Sequence, residues 1–171
     1  MPIAVSDSSV LIHLGAVEQL DLLPAFYDPV VIPQEVWREV VIQGRSTAVV
    51  QAVQNAAKQG WLEVQGARHS QLIQHMRQNL HPGEAAAICL ALETQATTLL
   101  MDETDGRTVA RQFGIHTIGV VGLLIKARKA GRLSELRPWL SRLVQSGFYL
   151  QPAFAERILR QVGEYPGETP R

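Results

Sequence analysis

The clearest strand in the sequence is Thr97-Thr98-Leu99-Leu100-Met101, and it leads directly to Asp102. A second β-prone run, Ile3-Ala4-Val5, leads through Ser6 to Asp7. Further short strands are predicted at Val30–Ile32, Trp61–Val64 and Ile115–Ile118. Because strands that alternate with helical segments usually pack side by side in one direction, we expect an α/β fold with a mostly parallel central sheet flanked by helices.

Apolar residues recur at helical spacing between these strands. One helix is predicted from Thr47 to Lys58, where Gly60 supplies a left-handed cap. Pro33 suits the first turn of another helix, and an alanine-rich helix follows Gly83-Glu84. The remaining helices are predicted over residues 10–26, 70–79, 106–113, 120–130, 133–147 and 152–162.

The composition is typical of one compact globular domain, since 46% of the 171 residues are hydrophobic and 19% are charged. We expect this domain over residues 1–162, followed by a mobile tail over residues 163–171. No apolar run approaches the roughly 18 residues of a membrane span, and no signal-peptide pattern is present. Cys89 is the only cysteine, which excludes an intrachain disulfide and a cysteine-based zinc site. A cytoplasmic protein with no membrane association is therefore expected.

Positive charge is concentrated in one part of the chain. The totals balance, with 16 Lys+Arg against 16 Asp+Glu, but eight of the basic residues and only one acid lie between Gly106 and Arg142. Such a local excess creates a positive field that attracts polyanions even when the net charge is zero. A solubilising helical surface is the other explanation for this segment when it is considered alone.

Acidic residues follow the two best strands. Ligands of open parallel sheets bind at the carboxyl ends of the strands, which is where Asp7 and Asp102 are expected. Glu84 lies in the first turn of the alanine-rich helix, and Asp102, Glu103 and Asp105 place three acids within four residues. Asp7 as a helix cap and Glu84 as a helix-start charge are the alternative explanations.

A shared location of these acids has a chemical consequence. Two ionised carboxylates about 4 Å apart repel each other by about 4 kcal/mol at an effective dielectric constant near 20, so a cluster must bind protons or a cation. An all-oxygen site without a set of His or Cys ligands favours Mg²⁺ or Mn²⁺. Such ions support phosphoryl chemistry, and the basic segment would hold the polyanionic substrate.

Several short motifs occur in a defined order along the chain. They are Asp7-Ser8-Ser9, Ile32-Pro33 followed by Glu39-Val40, Gly83-Glu84-Ala85, and Asp102-Glu103 followed by Arg107. In this order and spacing the sequence resembles the PIN-domain family from Val5 to about Gly163. Three later segments resemble a VapC-like branch of uncharacterised PIN proteins: Gly122-Leu123-Leu124, Lys126-Ala127-Arg128-Lys129 and Gly147-Phe148.

The resemblance implies a single PIN-like domain that acts as a metal-dependent endoribonuclease, with Mg²⁺ or Mn²⁺ held by carboxylates. Carried over residue by residue, it implies the catalytic residues Asp7, Glu39, Glu84 and Asp102. Glu39 is preferred to Glu35 by the resemblance alone. The implied metal ligands are Asp7, Glu84, Asp102 and Asp105, with the choice among Asp102, Glu103 and Asp105 left open.

The expected partner of this site is RNA. We expect it to contact basic residues that follow the acids, namely Arg107, Arg111, Lys126, Arg128 and Lys129. The resemblance also implies a toxin of a toxin–antitoxin pair, with an antitoxin protein as a further partner. A homodimer is expected because family members pair and because residues 119–125 are more apolar than one amphipathic helix face requires.

Two other functions stay open on the sequence. A PIN-like module without catalytic activity would bind nucleic acid or protein through the same surface. A receiver-like signalling domain also places aspartates around Mg²⁺ at strand ends, but this sequence lacks the expected arrangement of a lone acceptor aspartate followed by Thr/Ser and Lys strand ends.

Overall fold

A five-stranded sheet forms the centre of the computed structural model, which describes residues 1–165. All strand pairs are parallel, and the spatial order is β3-β2-β1-β4-β5. The strands are β1 (Ala4–Ser6), β2 (Val30–Pro33), β3 (Leu62–Gln65), β4 (Thr98–Leu100) and β5 (Thr117–Ile118). The predicted α/β fold with a parallel sheet flanked by helices is confirmed.

The central strand β1 fixes the register of its two neighbours. Ala4 pairs with Val30 on one side, and Ser6 pairs with Leu100 on the other. Ala4 and Val5 are fully buried. Strands covered on both faces have continuous apolar sequences, which is why the short apolar runs identified these strands.

Contacts divide the chain into two compact units, the first over Met1–Val120 and the second from Val121 onward. The first unit contains the sheet, and its helices are α1 (Ser8–Ala16), α2 (Leu22–Phe26), α3 (Gln34–Trp37), α4 (Thr47–Gln59), α5 (Ser70–Met76), α6 (Pro82–Thr94) and α7 (Thr104–Gln112). A π-helical turn over Arg38–Ile42 directly follows α3. No helix in the described part of the chain is both long and apolar enough to cross a membrane.

The predicted single helix over residues 10–26 is wrong, because α1 ends at Ala16 and α2 begins only at Leu22. Glu18 adopts a left-handed conformation with φ 58°, its N–H donates to the Gly15 carbonyl, and the Gln19 N–H donates to Leu14. This pair of bonds is a Schellman cap, in which glycine is the usual left-handed residue. Glutamate at that position hides the helix end from sequence analysis.

Helix α6 packs in the interior of the first unit. Every residue from Gly83 to Ala91 is buried, and Ile88 and Leu90 join a core cluster with Val5 and Leu99 of the central strands. Small alanine side chains allow a helix backbone to lie close to a sheet. Because α6 lies in the interior, Glu84 in its first turn is buried as well.

The second unit contains α8 (Val120–Lys129) apart from its first residue, and also α9 (Arg137–Gln145) and α10 (Pro152–Gln161). Glu164 accepts hydrogen bonds from the Leu136 and Arg137 backbone N–H groups and pairs with the Arg128 guanidinium at 3.2 Å. A mobile tail is predicted to start at residue 163, whereas Glu164, the next residue, is held by these three partners. The rest of that tail, residues 166–171, lies outside the described residues.

Candidate active site

The two central strands bring Asp7 and Asp102 to the same edge of the sheet. Asp7 directly follows β1, and its backbone N–H donates to the Leu100 carbonyl of β4 at 3.0 Å. Asp102 comes two residues after Leu100. Because β1 and β4 are parallel neighbours, both acids leave the sheet at its carboxyl edge, where ligands of such sheets bind.

Asp7 is a buried carboxyl, with only 2% of its surface exposed. It caps α1 by accepting a hydrogen bond from the Val10 N–H at 3.2 Å, and Ser9 Oγ donates to it at 3.0 Å. Burial raises the pKa of Asp7 to about 7, and the negative charges of Asp102 and Glu84 act in the same direction against those hydrogen bonds. The cap explanation of Asp7 is thus correct, and the electrostatic coupling to two other acids exists in addition to it.

Asp102 has one satisfied and one unsatisfied oxygen. Oδ1 accepts a hydrogen bond from the Val120 N–H at 3.0 Å, while Oδ2 is buried without a hydrogen-bond partner among the described residues. Burial raises the pKa of Asp102, although the Val120 bond and the charges of His13 and Arg107 oppose this. A buried acceptor without a partner is destabilising, so Oδ2 is suited to a proton or a cation.

Gly119 permits this arrangement after β5. A β-carbon at residue 119 would collide with Asp102 Oδ1 and would lie 3.3 Å from a guanidinium nitrogen of Arg107. Any side chain larger than hydrogen would displace Asp102 or move the Val120 N–H away from it. Glycine is required here by close approach of the backbone.

Glu84 is buried in the first turn of α6, with 9% of its surface exposed. Its Oε2 accepts a hydrogen bond from the His81 N–H at 3.4 Å, which forms part of a capping box. Burial raises the pKa of Glu84, and the charges of Glu103 and Asp105 contribute in the same direction. Glu84 therefore interacts with the acids that follow β4 as well as with Asp7.

Glu39 lies on the π-helical turn, and its side chain is exposed. Its Oε2 accepts a hydrogen bond from Ser8 Oγ at 2.7 Å. A β-carbon at Gly83 would lie 3.4 Å from the same oxygen. Glu39 is thus beside the chain neighbours of Asp7 and Glu84, whereas Glu35, one turn earlier, has a buried Oε2 without a partner in the described residues.

Three features of this site were not predicted from the sequence. The Ser8 hydroxyl donates a hydrogen bond to Glu39. The charge of His13 acts on Asp102. The π-helical turn that carries Glu39 has no sequence signature. All three depend on contacts between segments that are distant in sequence.

The predicted RNA contacts differ in their surroundings. In the first unit, Arg107 is half-buried and its charge acts on Asp102, while Arg111 is exposed one turn later on α7. In the second unit, Lys129 is exposed, Lys126 is half-buried, and Arg128 is paired with Glu164. The apolar run behind the dimer prediction is also accounted for, because Val120, Leu123 and Leu124 are fully buried within the single chain.

A metal ion held by the protein alone is not evident. Within residues 1–165, no three His, Cys, Asp or Glu side chains are arranged to hold one. Mg²⁺, however, is commonly bound by one or two carboxylates, with water and substrate phosphates as its other ligands. The coupled pair Asp7 and Asp102, with the unpartnered Oδ2 of Asp102, fits that smaller ligand set.

The family model DUF3368, described as a PIN domain, matches residues 3–164. A solved structure of a PilT N-terminus domain protein from the hyperthermophilic archaeon Sulfolobus solfataricus P2 is 20% identical, with a TM-score of 0.49 over 73% of this chain and 92% of that chain. No curated protein has a matching sequence.

Proposed function

Because the chain belongs to the PIN-domain family, whose members are generally nucleases, we propose that it is a metal-dependent endoribonuclease. The proposed reaction is hydrolysis of RNA phosphodiester bonds with Mg²⁺ or Mn²⁺ as the cofactor. The observation that carries this proposal is the electrostatic coupling of buried Asp7 to Asp102 and Glu84 at the carboxyl edge of the sheet.

Such a group of acids is unfavourable without a positive partner. Burial removes water from ionised carboxylates, and their mutual repulsion adds to that loss. A protein that only needed a stable fold would gain from neutral residues at these positions. The arrangement is therefore better explained by a cation that is bound during function than by packing.

Asp7 and Asp102 are the proposed direct ligands, with Glu84 and Asp105 close enough to add negative charge. A divalent ion at this place would stabilise negative charge on the scissile phosphate and favour deprotonation of an attacking water. Glu84, whose pKa is raised by burial, is suited to exchange a proton with that water or with the leaving oxygen. Ser8 holds the Glu39 carboxylate in place beside these groups.

Basic residues of each unit would bind the RNA backbone. Arg107 and Arg111 follow the acids on α7, and α8 contributes Lys126, Arg128 and Lys129. Lys129 and Arg111 are exposed, so we propose that they make the phosphate contacts with the least rearrangement. Arg128 would have to leave Glu164 before it could bind a phosphate.

A finer proposal is a cytoplasmic toxin of the VapC-like kind, with an antitoxin protein as its partner and a homodimer as its assembly. The support for it is the similarity of segments 122–124 and 126–129 to that branch. A small reading frame next to the gene would support the antitoxin.

The second candidate function is a PIN-like module that binds nucleic acid or protein without cleaving RNA. The observation that favours this alternative is that both acids have a structural role without a cation, since Asp7 caps α1 through the Val10 N–H and Asp102 accepts a hydrogen bond from the Val120 N–H. It predicts RNA binding that is unaffected by divalent ions.

The test is cleavage of single-stranded and hairpin RNA with Mg²⁺ or Mn²⁺ by the wild type and Asp102→Asn. We expect the substitution to lower the cleavage rate by about 10²-fold or more, because it removes a charge from the proposed cation site at constant size. Asp21→Asn is the matched control, since Asp21 is exposed and its side chain caps no helix N–H. Equal rates for Asp102→Asn and the control would contradict the mechanism, and RNA binding without cleavage by the wild type would favour the second candidate.

A further inference from the structure

A cavity of about 410 Å³ lies beside Glu39 in the first unit. Its apolar walls are Ile12 of α1, Val40 of the π-helical turn and Val49 of α4. Its polar lining includes Glu39 and a short loop between that turn and α4, which contributes Gln43, Gly44, Arg45 and Ser46. None of these residues except Glu39 belongs to the site described above.

The loop that lines this cavity is anchored at both ends. The Gln43 N–H closes the π-helical turn by donating to the Arg38 carbonyl at 2.8 Å. A β-carbon at Gly44 would collide with the Val40 carbonyl oxygen, so only glycine allows the loop backbone to pass this close to the π-helical turn. Ser46 then caps α4 by accepting from the Val49 N–H. The position of the loop is thereby fixed at both ends, so the cavity is preformed.

Glu39 belongs both to the lining of the cavity and to the candidate active site. Glu39 lines the cavity and accepts the hydrogen bond of Ser8, whose chain neighbour is Asp7. A molecule that occupies the cavity would therefore lie beside Glu39, one of the acids of the proposed site. This shared residue relates the cavity to the substrate.

The lining combines two kinds of chemistry. The Ile12, Val40 and Val49 side chains present apolar surface, and the Gln43 amide offers one acceptor and two donor hydrogens. Arg45 adds an exposed guanidinium at the loop, which can bind a base edge or a phosphate. Apolar walls with a few polar groups are typical of sites for small planar molecules, and the volume lies within the usual range of about 300–1,000 Å³.

We propose that this cavity binds one unstacked nucleobase of the RNA and so selects the nucleotide beside the cleaved bond. The proposal rests on the proposed ribonuclease function. Single-stranded RNA is commonly recognised by bases that leave the stack and are read through hydrogen bonds to their edges. The negative charge of Glu39 disfavours a phosphate inside the cavity, whereas a neutral base meets no such repulsion.

The experiment measures nucleotide binding without catalysis. Metal-free protein in EDTA is titrated with AMP, CMP, GMP and UMP, and with inorganic phosphate, while backbone amide shifts are followed by NMR. We expect at least one nucleotide to shift Gln43, Gly44 and Val49 saturably, and the four dissociation constants to span about fivefold or more. Inorganic phosphate should leave these amides unchanged.

Two glutamine variants test whether the loop provides the selection. Gln43→Leu replaces the amide by an apolar group of similar bulk and so removes its hydrogen bonds, and it should reduce the preference among the four nucleotides to within about twofold. Gln51→Leu, at an exposed position of α4, should keep the wild-type preference. Absence of shifts, equal shifts from phosphate, or an unchanged preference in Gln43→Leu would overturn the proposal.

The titration is independent of the cleavage assay. Nucleotide binding together with absent cleavage would overturn the ribonuclease function while leaving a base-binding site in place. Cleavage that depends on Asp102 without selective nucleotide binding would overturn the base site alone.

Discussion

The two ends of helix α6 each carry a glutamate, and the pKa values of the two carboxyl groups are shifted in opposite directions. Burial raises the pKa of Glu84 in the first turn, where Glu103 and Asp105 add negative charge. Burial also acts on Glu93 in the last turn, but hydrogen bonds from the Arg68 and His69 N–H groups outweigh it and lower the pKa.

The helix dipole alone predicts the reverse of these directions. A helix N-terminus stabilises a carboxylate and a C-terminus destabilises one, each by about 0.3–1 kcal/mol at the surface. At α6 burial and the immediate neighbours decide instead. Glu93 accepts hydrogen bonds from two successive backbone N–H groups, whereas at Glu84 burial outweighs the single bond from the His81 N–H, and the charges of Glu103 and Asp105 add to the effect of burial. Glu93 thus stabilises the fold, whereas the fold holds Glu84 in an environment that disfavours its negative charge.

The largest expected effect comes from removing the charge at each end of α6 in turn. Glu84→Gln should lower the rate of Mg²⁺-dependent RNA cleavage by about 10²-fold, because a proton-exchanging carboxyl at the proposed site is lost. Glu93→Gln is the matched control on the same helix. It should leave the rate within about twofold but lower the free energy of unfolding by about 1 kcal/mol, because an amide oxygen accepts backbone hydrogen bonds less strongly than a carboxylate.

Cleavage rates and urea unfolding of both variants check this contrast. Equal losses of activity in Glu84→Gln and Glu93→Gln would show that α6 tolerates no change at either end, and the functional distinction between the two glutamates would then be wrong.

A smaller effect concerns pH and extends the comparison to Asp7. The Asp7 carboxyl has a pKa of about 7 in the metal-free fold against an ordinary value of 3.8. Since the folded state binds this proton more tightly, the stability that Asp7 contributes is present at low pH and is lost as pH rises through 7. The free energy of unfolding should therefore fall by about 2–3 kcal/mol from this group between pH 5 and pH 8.

Urea unfolding in EDTA at the two pH values measures this loss. Asp7→Asn should remove the part of this loss of stability that comes from Asp7. Asp21→Asn, at an exposed position, should keep the wild-type dependence of stability on pH. An Asp7→Asn variant with the same decline as the wild type would mean that the Asp7 carboxyl is already ionised at pH 5.

Much of the fold follows from local sequence patterns. Short apolar runs identified the strands because both faces of a parallel sheet are buried, and the same runs placed Asp7 and Asp102 at one edge. Gly60 ends α4 in the left-handed conformation that the sequence predicts, with φ 87°. The helix end at Glu18 was missed because a glutamate occupies the position where glycine is usual.

The candidate site was predictable only in part. The chain positions of Asp7 and Asp102 are set by the strands that precede them, so a sequence pattern suffices. The bond from Ser8 to Glu39 joins residues 31 positions apart, and it depends on a π-helical turn with no known sequence signal. The charge of His13 acts on Asp102 across an even longer interval. Such pairings are decided by tertiary packing.

Direct measurement of divalent-ion binding tests the central claim that Asp7 and Asp102 form a cation site at the carboxyl edge of the sheet. Mn²⁺ can be titrated into metal-free protein and followed by its electron paramagnetic resonance signal, with wild type, Asp102→Asn and Asp21→Asn compared. We expect one class of site in the wild type and in Asp21→Asn, and an affinity at least about tenfold weaker in Asp102→Asn. Equal Mn²⁺ affinity in all three proteins, or no binding by the wild type at millimolar Mn²⁺, would contradict the account.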